Sequence, residues 1–255
     1  MRILKDVYMV GSGQFGLSDT LDCHAYLLDG GGECALLDAG AGREPQRLIE
    51  NLRADGWVEG PIAWILLTHA HADHAGGARA LRESTLSKLT GARIACSAFE
   101  GQLLSSGSEV ELGLDRAVRS GIYPRDYAYE HTQPDVLLEP DQELRVGRYT
   151  VRAIEVPGHS PGSICYLAEG EGQRMLFSGD TVFYGGTIGL GNWAGSSLED
   201  YRRSIGRLQG LGVEALFPGH FLWTLRGGQT HLDRAVENLS LAWVPPAWQH
   251  QHAHY

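Results

Sequence analysis

Three histidines and one aspartate fall within six consecutive positions of the chain, in the order His69, His71, Asp73 and His74. They come directly after the apolar run 63–67, which has the composition of a buried strand. Ionisable side chains at this density cannot be buried unless they pair with one another or bind a metal ion. Imidazole and carboxylate together suit zinc, iron or manganese, and the lack of thiolates in this stretch argues against a structural zinc finger. The spacing therefore favours a metal site over a chance cluster of surface histidines.

Three later stretches have the same form, a short apolar strand followed by glycine and a side chain that can bind metal. These pairs are Gly158-His159, Gly179-Asp180 and Gly219-His220. Glycine allows a tight turn and a close approach of the backbone beside each ligand. Side chains at the ends of several strands can converge even when they are far apart in sequence. Together with the first stretch they make seven candidate ligands, which is enough for two metal ions: His69, His71, Asp73, His74, His159, Asp180 and His220.

The elements that must position these residues alternate between short strands and helices. Apolar runs predict strands over 22–28, 33–37, 63–67, 93–96, 144–156, 163–167, 174–177 and 213–217. Helical spacing predicts helices over 44–55, from Asp73 through Leu81 with a further turn at Leu86, over 198–211 and over 230–241. Each half is a group of strands followed by a helix, which indicates two packed sheets with helices outside. We expect one domain over 1–225 with an insertion at about 99–140, then a C-terminal helix and His-rich tail over 226–255.

The composition is that of a soluble globular protein. The 255 residues are 43% hydrophobic and 20% charged, with a formal net charge of −10. This acidic balance disfavours nucleic acid and anionic lipid as partners, because both bind clustered Lys and Arg. We therefore expect a small-molecule substrate, and the sequence leaves the oligomeric state open.

Cysteine usage indicates a reducing compartment. No two cysteines form a C-x-x-C pair and each lies in an apolar, strand-like context, which predicts buried free thiols rather than disulfides. They are Cys23, Cys34, Cys96 and Cys165. The first residues lack the apolar region of a secretory signal, and no stretch is long enough to span a bilayer. We expect a cytoplasmic protein.

Taken in order, the four motifs resemble the metallo-β-lactamase superfamily. They read His-x-His-x-Asp-His, Gly-His, Gly-Asp-Thr and Gly-His, and the resemblance runs from about Cys23 to His220, most of the chain. It implies an α+β fold, a four-layer αββα sandwich of two mixed β-sheets with outer helices. It also implies a dinuclear metal site at one edge of the sheets, holding two divalent ions. Zinc is the first expectation for these ions, with iron or manganese as alternatives.

The resemblance also implies a role for each candidate ligand. Carried over by motif, the ligands of the first metal are His69, His71 and His159, those of the second are Asp73, His74 and His220, and the bridging residue is Asp180. Two divalent ions about 3.5–4 Å apart can hold a hydroxide that attacks a carbonyl or phosphoryl centre. Asp73 would accept a proton or orient this nucleophile. Asp38, in the family's Asp-x-Gly motif, would support the ligands from behind.

The residues around the bridging aspartate narrow the activity that the resemblance implies. β-Lactamases of this fold generally lack that aspartate, whereas glyoxalase II, acyl homoserine lactonases and nucleases keep it. The nuclease branch has a basic surface and a clamping extension, and neither is visible here. Residues 187–192 replace the Gly-Cys-Gly-Arg type sequence of glyoxalase II, and Phe183-Tyr184 stands where lactonases carry a tyrosine. We predict hydrolysis of a carboxylic ester, lactone or thioester in a small molecule, with Asp73, Asp180 and Tyr184 as catalytic residues.

Three alternatives remain open at the level of sequence. Persulfide dioxygenases share the fold and the seven residues, yet use one iron ion bound by two histidines and one aspartate. A β-lactamase or phosphodiesterase activity could use the same fold and metals. A non-catalytic binding module is the third, although degenerate members lose ligands and this chain keeps all seven candidates.

Several other polar and aromatic residues lie near these motifs in sequence and are expected to serve packing rather than chemistry. His231 is predicted to be exposed on the last helix, and the tail 249–255 to be a mobile segment that can bind stray metal. The residues given a structural role are His24, Tyr123, Tyr127, Tyr129, His131 and Trp193.

Overall fold

The computed structural model describes residues 1–55, 61–84, 91–243 and 245–247, and within them twelve strands form two sheets. The first sheet contains β1 (Arg2–Leu4), β2 (Val7–Gly11), β3 (Ala25–Asp29), β4 (Cys34–Leu37), β5 (Ile62–Leu66), β6 (Arg93–Ser97) and β7 (Val136–Leu138). The second contains β8 (Glu143–Val146), β9 (Tyr149–Glu155), β10 (Ile164–Gly170), β11 (Gln173–Gly179) and β12 (Ala215–Pro218). The α-helices are α1 (Pro45–Ala54), α2 (Ala72–Ala75), α3 (Ala78–Glu83), α4 (Ala98–Ser106), α5 (Leu114–Arg119), α6 (Leu198–Ser204) and α7 (Gly228–Ser240).

Both sheets are mixed, as the sequence predicts. The first runs β1 to β7 in chain order, antiparallel as far as β4 and parallel from β4 to β7. In the second, β8 to β11 are antiparallel neighbours and β12 is parallel to β11. The carboxyl ends of the parallel strands β5 and β6 therefore lie at one edge of the first sheet, and those of β11 and β12 at one edge of the second.

Four layers arise because both faces of each sheet are apolar. On β3, Tyr26 and Leu28 pack between the two sheets against Phe177 and other residues of the second sheet. Leu27 points to the opposite face, in the cluster that α1 covers with Leu48. Successive side chains on a strand face opposite sides, so a strand buried on both faces reads as a continuous apolar run.

The outer face of the second sheet is covered by α6 and α7. Tyr201 of α6 and Leu232 of α7 join its apolar residues in one buried cluster. The order of layers is therefore helix, sheet, sheet, helix, and the predicted αββα sandwich is confirmed. Helix α7, which was predicted to follow the main domain, thus packs as part of an outer layer of the sandwich.

The segment 99–140, predicted as an insertion, has two kinds of contact. Leu114 of α5 and Tyr123 pack with Ala70 and Ala72 of the histidine stretch, so this part covers the candidate site. Its last element, β7, pairs with β6 and completes the first sheet. The segment thus contributes a strand to the core as well as a cover over it.

The element predictions differ from the structure at several places, one of which is strand β7, which was not predicted. The strand predicted over 144–156 is two strands, because Gly147 takes a positive φ of 54° and turns the chain between β8 and β9. The helix predicted from Asp73 through Leu81 is interrupted between α2 and α3 by Gly76 and Gly77. Glycine has a low helix propensity, so two in succession raise the free energy of a continuous helix. Strands β1 and β2 were not predicted. The extension to Leu86 lies outside the described residues, as does the tail 249–255.

The four cysteines are free and buried, which agrees with the absence of a disulfide framework in the prediction. In the part of the chain that the structure describes, no helix combines the length and the apolar character needed to cross a membrane.

Candidate metal centre

All seven predicted ligands come together where strands of both sheets end. The histidine stretch follows β5, His159 follows β9, Asp180 follows β11 and His220 follows β12. Ligand atoms within 4.8 Å of one another form three overlapping groups: His69, His71 and His159; His69, His74 and Asp180; and Asp73, His74 and His220. The strand ends therefore converge in space as the sequence predicts, although they are separated by up to 151 positions (220 − 69). The hydrogen bonds of these side chains indicate which of their atoms are available to bind a metal ion.

The first group consists of three histidine nitrogens that face one another. His159 Nε2 lies 3.0 Å from His69 Nε2 and 2.9 Å from His71 Nδ1. Burial lowers the pKa of His71 to about 3 and holds the pKa of His69 well below its ordinary value, so both rings are neutral. Neutral imidazole is the form that binds metal.

Hydrogen bonds behind two of these rings fix which nitrogen carries the proton. His159 Nδ1 donates to the carbonyl oxygen of Gly189 at 2.6 Å, because a carbonyl can only accept. His69 Nδ1 lies 3.0 Å from Thr68 Oγ1, whose own proton is directed to Asp38 at 2.9 Å. The Nε2 atoms of His69 and His159 therefore present lone pairs to the same small space. Lone pairs repel there unless a cation lies between them, so this donor set fits a metal ion.

In the second group, the histidine nitrogens lie next to carboxylate oxygens. His220 Nε2 lies 3.0 Å from Asp73 Oδ2, and His74 Nε2 lies 3.5 Å from the same oxygen. His74 Nδ1 donates to Asp38 Oδ2 at 2.8 Å, and on the other side of the ring Nε2 faces oxygens of Asp73 and Asp180. Burial lowers the pKa of His74, but the charges of Cys23, Asp180, Asp73 and Asp38 raise it more, and the net direction is upward. A positive charge is stabilised at this position, and either a proton or a bound divalent ion would supply it.

Asp180 stands between the two groups. Its Oδ1 lies 3.3 Å from His74 Nε2, and its Oδ2 lies 3.5 Å from His220 Nε2 and 3.8 Å from His159 Nε2. Among the described residues, Asp180 Oδ1 and His74 Nε2 are buried polar atoms with no hydrogen-bond partner. Such orphaned atoms are rare in folded proteins and indicate an ion or ligand. The geometry is that of a carboxylate able to reach two ions at once.

Glycine is required beside this carboxylate. A Cβ atom on Gly219 would lie 2.5 Å from Asp180 Oδ1 and 2.5 Å from His74 Cε1. The Gly-His motif at the end of β12 therefore brings the backbone against the site, and any side chain there would displace two predicted ligands.

Glu100, which sequence reasoning missed, joins the two loops that carry the first group. Its carboxylate is buried and accepts the backbone N–H of Ala70 at 2.8 Å and that of Gly162 at 3.0 Å. It also accepts the Ser160 hydroxyl at 2.7 Å. Ala70 lies between two predicted ligands and Ser160 follows a third. The local signal, Ser97 three positions before Glu100, is typical of a helix start and predicts a different use of the carboxylate.

Tyr123 and Trp193 also contact the site, although packing roles were predicted for both. The Tyr123 hydroxyl donates to Asp73 Oδ1 at 3.0 Å, leaving Oδ2 towards His220. Trp193 Nε1 donates to the carbonyl oxygen of His159 at 3.0 Å, and its ring centroid lies 5.6 Å from that of His71. These contacts hold the ligands in place and cover one side of the cluster.

The structure does not bring Tyr184 into this cluster. Its side chain is exposed, and its ring lies 4.2 Å from that of His231 on α7. His231 accepts the Gly185 N–H at 3.0 Å, so it is partly buried and packs against this turn, although it was predicted to be exposed. The phenol of Tyr184 faces outward, and its catalytic role stays a prediction. His131 and Tyr127 bind backbone carbonyls, as expected of packing residues.

Comparison with known proteins agrees with this geometry. The sequence profile of the metallo-beta-lactamase superfamily matches residues 18–220, which include all seven predicted ligands. This chain belongs to the metallo-beta-lactamase superfamily. Solved structures with the same fold include BJP-1, a subclass B3 metallo-beta-lactamase of Bradyrhizobium japonicum, with a TM-score of 0.68 and 19% identity over 93% of this chain and 89% of that one. Another is a metallo-beta-lactamase of Cronobacter sakazakii, with a TM-score of 0.66 and 24% identity over 86% of this chain and 77% of that one.

Several curated relatives at about 30% identity are named as thioesterases or as hydroxyacylglutathione hydrolases. The atrochrysone carboxyl ACP thioesterase of Aspergillus fumigatus is 30% identical over 82% of this chain and 52% of that protein. A hydroxyacylglutathione hydrolase of Anaeromyxobacter dehalogenans is 32% identical over 87% of this chain and 65% of that protein. The acyl-coenzyme A thioesterase MBLAC2 of Gallus gallus is 31% identical over 83% of this chain and 79% of that protein. The chain thus spans about half the length of the first relative and under two thirds of the second.

Proposed function

We propose that this protein is a metal-dependent hydrolase that holds two divalent ions, zinc first among them, and cleaves the thioester or ester bond of a small molecule. The observation that carries the proposal is Asp180, whose carboxylate lies within 3.8 Å of both ligand groups: Oδ1 faces His74, and Oδ2 lies near His220 and His159. A carboxylate in this position suits a dinuclear site, since it can keep two cations close and limit their repulsion. Relatives named as thioesterases and hydroxyacylglutathione hydrolases support a thioester as the substrate bond.

The residues present fit the chemistry of such a site. When bound, divalent ions would polarise a substrate carbonyl and lower the pKa of a coordinated water towards neutrality. Asp73 is 17% exposed, whereas Asp180 is 3% exposed, so Asp73 is the carboxylate that solvent and substrate can reach. Burial raises the pKa of Asp73, but the charges of His74 and His220 reverse that effect and hold it below its ordinary value. Asp73 is therefore ionised, and its Oδ2 can accept a hydrogen bond from the attacking water and orient it towards the carbonyl, while the proton that the water loses passes to the leaving thiolate or alkoxide.

A substrate panel on zinc-loaded protein tests the reaction class. The panel contains acyl thioesters of coenzyme A and glutathione, p-nitrophenyl esters, acyl lactones, nitrocefin and bis-p-nitrophenyl phosphate. We expect hydrolysis of thioesters, with lactones cleaved more slowly because an alkoxide is a poorer leaving group than a thiolate. The p-nitrophenyl esters, whose leaving group is activated, report hydrolysis at a carbonyl in general. Dialysis against a chelator should abolish the activity, and added zinc should restore it. Hydrolysis of the phosphodiester alone would refute the carbonyl assignment, although the metal centre would stand.

A further inference from the structure

Near His220, the aromatic side chain of Phe15 is partly exposed to solvent and is supported by neighbouring rings. The ring of Phe15 is 42% exposed and stacks on that of His24, with centroids 5.1 Å apart and planes 15° apart. Its other contact is the edge of Trp223 at 5.3 Å. Leu222, in the same loop as Trp223, is 56% exposed. Phe15, His24, Leu222 and Trp223 are called the apolar platform below.

Two loops are held together beneath this platform. The backbone N–H of Phe221 donates to Gln14 Oε1 at 2.8 Å, which joins the loop after β12 to the loop after β2. His24 Nε2 donates to the carbonyl oxygen of Phe221 at 2.8 Å. Phe221 takes a positive φ of 65°, which is uncommon for a side chain of this size and needs such support. The exposed rings are thus fixed in place by the fold.

The platform begins at the candidate metal centre. The ring of His24 lies 6.2 Å from that of His220, and the backbone N–H of His24 donates to the carbonyl oxygen of Gly219 at 2.7 Å. The order from the site outward is His220, His24, Phe15 and Trp223. A substrate whose scissile bond lies at the metal ligands can therefore extend one substituent along these rings.

This surface carries no charge of its own. Residues 11–18 and 221–225 contain no ionisable side chain, although one fifth of the whole chain is charged. A neutral aromatic surface does not bind a carboxylate or phosphate by charge, but it lowers the free energy of an apolar chain removed from water. Exposed apolar side chains that are grouped beside a site mark a binding surface more often than isolated ones do.

We infer that the apolar platform binds the acyl group of the substrate, so that the protein prefers long aliphatic or aromatic acyl groups to acetyl. The inference rests on the proposed hydrolase function and specifies its substrate class. The leaving-group half of the substrate then extends away from the platform, on the side where Leu114, Tyr123 and Trp193 cover the cluster.

Binding of non-hydrolysable thioethers to the zinc-loaded protein tests this inference without any turnover. The probes are S-ethyl- and S-decyl-N-acetylcysteamine, measured by calorimetry. We expect the S-decyl compound to bind at least about tenfold more tightly, with a gain of no more than about fourfold per methylene group. Phe15→Ala should weaken binding of the S-decyl compound about tenfold and leave the S-ethyl compound unchanged.

Phe99→Ala is the matched control, because Phe99 is also 42% exposed but lies on α4, outside the platform. No binding of the S-decyl compound, equal binding of both probes, or equal effects of Phe15→Ala and Phe99→Ala would overturn the inference. Phe15-dependent binding of the S-decyl compound, in a protein that hydrolyses no thioester, would overturn the hydrolase proposal and leave the platform assignment standing.

Discussion

At the scale of single residues, the variant Asp180→Ala tests whether the site holds two metal ions or one. Asp180→Ala removes the carboxylate that faces both ligand groups. We expect hydrolysis to fall about hundredfold or more and one of the two ions to be lost, with the circular dichroism spectrum unchanged. The fold should persist because Asp180 lies at the ends of the sheets, outside the apolar core.

His131→Ala is the control for this variant, since His131 hydrogen-bonds the Leu104 carbonyl and packs against the ring of Tyr129, and neither is a predicted ligand. Its hydrolysis rate should stay within a few-fold of the original. Equal losses of activity in the two variants would mean that a ligand in the segment 99–140 has been overlooked.

Tyr123 supplies a second test at this scale. Its hydroxyl bonds the Asp73 carboxylate, and a hydrogen bond to a charged group contributes about 1.5–3 kcal/mol. Tyr123→Phe should therefore weaken the second metal about ten- to hundredfold, measured by zinc titration with a competing chelator. Tyr127→Phe removes a neighbouring phenol whose hydroxyl donates to a neutral group, the carbonyl oxygen of Ala41. If both variants bind zinc alike, Tyr123 serves packing alone, as the sequence predicted.

Residue types and spacing sufficed to predict that the seven candidate ligands come together, because each motif places its histidine or aspartate just after a strand. The same information could not assign Glu100 or Tyr123. Their partners Ala70 and Asp73 are 30 and 50 positions away, and the hydrogen bonds depend on how the segment 99–140 folds back. Local pattern carries no information about such a contact.

At the scale of elements, α4 fastens the loops of the first metal group through Glu100. Three donors point at its two carboxylate oxygens, so either orientation of a glutamine amide sets an N–H against a backbone N–H. Glu100→Gln should lower the free energy of unfolding by about 1–3 kcal/mol and weaken the first metal. Thermal unfolding and zinc titration measure the two effects.

Glu111→Gln is the matched control in the same segment, because Glu111 lies at the surface and its carboxylate accepts hydrogen bonds from the nearby Ser108. Its unfolding temperature and zinc affinity should equal those of the original protein. A stable Glu100→Gln variant with unchanged zinc affinity would show that α4 does not hold the histidine loops.

Element boundaries were predictable where a single sequence signal, such as a glycine-rich turn or an apolar run, marks them clearly. The hairpin between β3 and β4 follows from its glycines, and the parallel strand β5 from its apolar run. The turn at Gly147 was missed because apolar residues continue on both sides of it. Strand β7 was missed because Val136–Leu138 is short and exposed in part, and only pairing with β6 makes it a strand.

At the scale of the whole molecule, two packed sheets have strand ends on the same side, and four of these ends bring the candidate ligands together. The αββα order was predictable from the repeated group of strands and helix, since apolar faces must be covered. The substrate was not predictable in this way, because a nucleophile at two metal ions does not select among carbonyl compounds. Selection depends on surfaces such as the apolar platform, which form only when distant loops meet.

The metal content of the purified protein tests the central claim most directly. Elemental analysis should be made on the chain with His250, His252 and His254 replaced by serine, so that the tail does not add stray metal. We predict about two divalent ions per chain, mainly zinc, falling to about one in Asp180→Ala. One tightly held iron ion with no second metal would contradict the dinuclear hydrolase and favour the dioxygenase alternative, and no metal at all would contradict both.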